Sequence, residues 1–89
     1  RFRTASGASD FVSFVRRHAS TYLGAYPGLR AFSSRGRTGI LATAQPCTCH
    51  LANPAFLGVV ARGATVTWLE INGPGATARR LRQLIAAAP

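Results

Sequence analysis

Cys47-Thr48-Cys49-His50 is the one short run in this chain with metal-ligand chemistry, two thiols and an imidazole. A closed zinc site needs four such groups. The remaining donors, His18, Asp10 and Glu70, are remote in sequence, so completing a site would call on a neighbouring chain. The expectation is a loop with free thiols and no resident metal. A Cys47–Cys49 bond would close a very small ring, against the strict geometry of disulfides. Two cysteines are also too few to staple a secreted scaffold. Asp10 and Glu70 are the only carboxylates, which leaves almost no inventory for general acid–base work. No phosphate-binding glycine loop or dinucleotide fingerprint is present. His18 falls on or beside the apolar stripe of a helix, has no nucleophile or acid next to it, and is expected to pack. These absences lead us to expect no enzyme, no cofactor and no small-molecule substrate.

The arginines carry the opposite message. All eleven basic residues are arginine, and the net charge is +9. A charge this large makes the folded chain repel itself and makes a polyanion its natural partner. Arginine suits phosphate because its planar fork binds bidentately and also stacks on bases. Three groups stand out: Arg1 and Arg3 with Arg16 and Arg17; Arg30, Arg35 and Arg37; and Arg79, Arg80 and Arg82. Arg79 and Arg80 fall near a helix N-terminus, where positive charge is unfavourable, and this hints at an external anion. Arg16, Arg17, Arg30, Arg35, Arg37, Arg79, Arg80 and Arg82 are therefore the expected phosphate contacts. Such contacts position a protein on RNA without reading sequence.

The elements that must position these groups follow from periodicity. The 89 residues make one domain, and an apolar fraction of 47% supports a modest core. No apolar run approaches the roughly 20 residues that a membrane-spanning helix needs, so no span is expected. Arg1 to Thr4 reads as the end of a strand. The turn Ser6 to Asp10 feeds a helix capped by Ser9 or Ser6 and running to about Leu23. Phe11, Val15, His18 or Ala19, and Tyr22 form its buried face, widened by Phe14 and Leu23. Gly24 and Pro27 end it. Leu29 to Ser33 is a strand, and Ser34 to Asn53 is an irregular connection. Phe56 to Ala61 and Thr65 to Ile71 form a hairpin across Arg62-Gly63. Both strand faces are apolar, as in a sheet covered on both sides. Asn72 to Gly75 turns into a helix, Ala76 to Ala88, with Leu81, Leu84, Ile85 and Ala88 on one face. The expected fold is α/β, with a helix crossover making the first two strands parallel and the hairpin making the sheet mixed.

That order resembles a thioredoxin fold, β-α-β-loop-β-β-α in one domain spanning 1–89. More narrowly, the chain is similar to a thioredoxin-like mitochondrial family. A large-subunit ribosomal protein, a small-subunit ribosomal protein and a small accessory subunit of respiratory complex I share it. The likeness rests on Gly7-Ala8-Ser9-Asp10-Phe11-Val12, on Tyr26-Pro27-Gly28-Leu29, on Asn53-Pro54 followed after eight residues by Gly63, and on Ile71 with the closing helix. Ser9 stands where the family carries arginine. Pro54 and Gly63 would be its structural turn residues. The redox members of the wider fold need Cys-x-x-Cys at the first helix, and this chain has Ser6-Gly7-Ala8-Ser9 there.

The resemblance implies a non-catalytic structural subunit of the mitochondrial large ribosomal subunit, on the matrix side. Its arginines would hold rRNA phosphates and its apolar edges would dock neighbouring subunits. The alternative is an accessory subunit of complex I docked on acidic protein surfaces. Relatives there often pair a cysteine near the first strand with one in the loop before Pro54, and Arg1 to Ser9 has none. A third reading is a secreted sensor or lipoprotein domain, which would be expected to carry a second, distant cysteine.

Overall fold

A computed structural model describes residues 1–19, 28–44 and 54–88. Its elements are α1 (Ala5–Arg17), β1 (Gly28–Ser34), β2 (Arg37–Ala44), β3 (Ala55–Arg62), β4 (Thr65–Asn72) and α2 (Ala78–Ala87). The strands form one open antiparallel sheet in the order β1-β2-β3-β4. The chain is thus an α/β domain, but its sheet is an antiparallel meander.

The expected parallel pair is absent among the described residues, for two local reasons. Arg1 to Thr4 is not a strand. The Thr4 hydroxyl accepts the Gly7 N–H at 3.0 Å and caps α1, satisfying one of the donors that a helix start leaves open. The helix therefore begins before Ser6 and Ser9 instead of being capped by them. Phe2 packs its ring on Phe11, centroids 5.3 Å apart, and its N–H donates to the Ala64 carbonyl.

The second reason is β2, which lies inside the stretch read as irregular. Arg35 (φ 50°) and Gly36 (φ 79°) both adopt left-handed backbone, the geometry of a two-residue turn whose twist matches paired strands. The chain folds straight back and Gly28–Ser34 pairs with Arg37–Thr43, Ser34 opposite Arg37. The glycines and arginines at positions 35–39 resemble a loop in sequence because a charged residue in left-handed backbone is uncommon. The second hairpin turn is Gly63-Ala64. Arg62 still pairs, with Thr65, and Gly63 carries the positive φ.

Two cores lie on the two faces of the sheet. On one, Ala8, Val12 and Val15 of α1 pack on Ile40, Ala42, Leu57, Val59 and Ala61. On the other, Leu81 and Ile85 of α2 pack on Leu41 and Val60, with Phe32, Phe56, Leu69 and Ile71 at the margin. Odd and even positions of β2 and β3 thus serve different helices, as strand alternation requires. The buried face of α1 runs through Val12 and Val15, while Phe14 and His18 face solvent. Their rings stack at 4.3 Å, and His18 Nδ1 donates to the Phe14 carbonyl at 2.9 Å. α1 ends at Arg17, short of the expected Leu23, because His18 leaves helical geometry and acts as its C-cap. The stop residues Gly24 and Pro27 lie outside the described residues. So does the peptide joining Asn53 to Pro54. Pro54 itself directly precedes β3.

Two glycines set the spacing of these layers. A Cβ at Gly39 would run into the backbone of β3, overlapping the Val59 carbonyl oxygen and lying 2.7 Å from the Val60 Cα. A Cβ at Gly58 would meet the Ile85 Cδ1 at 2.7 Å, a side-chain tip that can turn aside. Gly39→Ala is therefore expected to cost about 1–3 kcal/mol by overpacking, and Gly58→Ala less. Urea unfolding midpoints of the two variants check the order.

Candidate nucleic-acid interface

α2 is amphipathic because Leu81 and Ile85, four residues apart, reach the sheet, each only 1% exposed. That geometry turns Arg79, Arg80, Arg82 and Gln83 outward. Thr77 caps the helix, its hydroxyl accepting the Arg80 N–H at 3.0 Å. Arg79 and Arg80 are thus in the first turn, which carries no acid. They sit where the helix dipole opposes them.

The β1–β2 hairpin brings a second set of arginines to the same helix. Arg37 Nη2 donates to the carbonyls of Ala86 and Ala88, at 3.2 and 3.1 Å. These are orphan acceptors at a helix end, where a cation is favourable. Arg37 is therefore an anchor that fixes the hairpin against α2. Beside it lies a groove of ≈ 460 Å³ whose walls include Phe32, Arg35, Arg37, Arg79, Arg82 and Gln83. A second groove of ≈ 360 Å³ runs by Arg30, Thr43, Phe56 and Ala78. Arg82 lines both, so the two adjoin along one flank of α2.

Strand register sorts the charges. Arg30 lies in a row with Leu41, and Arg37 with Arg62, on the α2 face. With Arg35 and the three α2 arginines, seven of the eleven basic residues belong to this side. Glu70 lies in a row with Leu57 and Ala42, on the α1 face, and Asp10 is on α1 itself. Both carboxylates of the chain are therefore on the far side of the sheet from the groove. Arg16 and Arg17 of α1 share that far side with them. Arg16 borders a smaller groove of ≈ 230 Å³ with Ser9, Ser13 and Thr38.

Of the expected phosphate-binding residues, the fold unites Arg30, Arg35, Arg37, Arg79 and Arg82. It leaves Arg80 on α2 outside the two grooves and separates Arg16 and Arg17 from all of them. Gly63 makes its hairpin turn. His18 is exposed instead of buried on the apolar stripe, because it is the C-cap of α1 and its ring lies against the exposed Phe14. Cys47, Cys49 and His50 lie outside the described residues, and among the described residues no group of three potential ligands could hold a metal. Phe32 and Gln83 join the site although sequence reasoning does not single them out. The signal for Phe32 is alternation: once Arg37–Ala44 is a strand, Arg30, Phe32 and Ser34 fall on one face with Arg37. Gln83 is off the Leu81–Ile85 stripe of α2.

The two kinds of arginine on α2's flank should respond oppositely. Arg37→Leu removes both bonds to the helix carbonyls and is expected to cost about 1 kcal/mol, with faster amide exchange in the last turn of α2. Arg80→Glu places an acid in the first turn and is expected to gain about 0.5 kcal/mol, or about 2–4 °C in Tm. Thermal unfolding of the pair tests both signs.

Comparison with protein-family models, with curated proteins and with solved structures returns no match for this chain.

Proposed function

We propose that this chain is a non-catalytic, RNA-binding architectural subunit that sits on the phosphates of a folded RNA through the α2 side of its sheet. The observation that carries the reading is the segregation of charge. Seven arginines gather on one side, and both carboxylates lie on the other. An unneutralised cluster of guanidinium groups repels itself and persists where an external polyanion relieves the repulsion. Among the described residues the groove walls hold no carboxylate, imidazole or thiol, so binding is the chemistry they support.

The proposed host is a large mitochondrial ribonucleoprotein, with the large ribosomal subunit first. The antiparallel meander lacks the parallel pair of a thioredoxin fold, so this reading is carried by charge and by the short sequence likenesses. No helix among the described residues is long and apolar enough to cross a membrane.

Co-sedimentation of the tagged chain in a mitochondrial lysate, with and without RNase, tests the host. Migration with the large ribosomal subunit, released by RNase, is the expected result. RNase-insensitive migration with NADH dehydrogenase activity would replace it by the complex I reading, with acidic protein surfaces as the partner. The binding face is tested separately by the salt dependence of RNA affinity. Changing Arg30, Arg35, Arg79 and Arg82 to Gln should flatten the log–log slope by about 0.7 for each single-strand phosphate that the variant no longer neutralises. Changing Arg16 and Arg17 should leave it nearly unaltered.

A further inference from the structure

We propose that the groove between the β1–β2 hairpin and α2 takes an unpaired nucleotide, with the base against Phe32 and the flanking phosphates on Arg35, Arg79 and Arg82. The inference rests on the RNA-binding reading and narrows it from phosphate in general to single-stranded RNA.

The groove is built for more than charge. Phe32 is half-buried, and it packs at the margin of the core formed by Leu41, Val60, Leu81 and Ile85. The same residue lines the groove. A ring held in this way is a pre-ordered platform, and bases stack on aromatic faces whatever their sequence. Gln83 on the opposite wall is exposed. Its amide offers both a donor and an acceptor. A phosphate can use only the donor, whereas a base edge can use both. The volume of ≈ 460 Å³ falls within the range of small-molecule sites.

The arginines divide the labour. Arg37 is already engaged by the carbonyls of Ala86 and Ala88, so it holds the wall in place. Arg35, Arg79 and Arg82 line the same space, and both carboxylates of the chain lie on the other face. Guanidinium groups beside an aromatic platform form the surface that binds single strands without sequence preference. A duplex hides its base faces by stacking and can offer this groove only phosphate and sugar.

The test is fluorescence anisotropy with three probes of closely matched charge: a single-stranded RNA 24-mer, a 12-base-pair RNA duplex, and inorganic polyphosphate of similar charge. The single strand should bind at least about 5-fold tighter than the other two, the lower end of one stacked base. Phe32→Leu should remove that preference while leaving polyphosphate affinity unchanged, with circular dichroism confirming the fold. Gln83→Ala, at an exposed helix position, tests the opposite wall without touching the core and should narrow the preference by about 2-fold or more. Equal affinity for all three probes would overturn the stacking proposal while leaving the phosphate reading intact. A preference that survives both substitutions would also overturn it, by placing the stacked base elsewhere. Absence of salt-sensitive binding to any RNA would instead bring down the broader reading.

Discussion

β3 has no free face. Seven of its eight residues are buried or nearly so, on alternate sides of the sheet. A strand with apolar side chains in both directions must be covered in both directions. With only two described helices to do this, one must lie on each side. α1 and α2 therefore cannot share a surface, and whatever charge each carries is delivered to opposite faces. The segregation of arginine from carboxylate is thus downstream of packing. It follows from Val59 facing Val15's layer while Val60 faces Ile85's.

The same requirement explains which parts of the architecture are legible in sequence. The apolar run Phe56–Ala61 reveals the hairpin and a strand covered on both faces. The same expectation fails for β4, where Trp68 and Glu70 are exposed on the α1 side because that helix does not reach over the edge strand there. The stripe Leu81, Leu84, Ile85 locates α2 to within two residues at its start, the difference being the Thr77 cap. What stays hidden is the partner of β1. Ser34 to Asn53 mixes glycine, arginine and threonine, and its strand content depends on a turn with Arg35 in left-handed backbone, which composition does not announce. Without that turn the topology tilts toward a crossover, since an unpaired β1 needs a parallel neighbour. The candidate site is hidden for the same reason. Its arginines are visible as three groups, yet only the β1–β2 pairing shows that two of the groups meet and the third stands apart.

The two ends of α2 carry opposing electrostatic contributions. The first turn of α2 holds two arginines and no acid, an arrangement that weakens the helix it starts. At the other end Arg37 reaches across from the sheet and satisfies the last carbonyls. One arginine thus compensates at the C-terminus for part of what two others cost at the N-terminus. A helix of ten residues is marginal by itself, so its docking through Leu81 and Ile85 is what makes such a charge pattern tolerable.

The meander has a kinetic consequence. Two of its three strand pairings are closed by two-residue turns, Arg35-Gly36 and Gly63-Ala64. Pairings so near in sequence cost little loop-closure entropy and form early. The long closure is that of α1, whose residues reach across to β3 and whose leading Phe2 bonds to Ala64. Every wall of the two basic grooves, from Gly28 to Ala86, lies C-terminal to that helix. Topology therefore favours an order in which the groove assembles first and the N-terminal helix seals the opposite face afterwards.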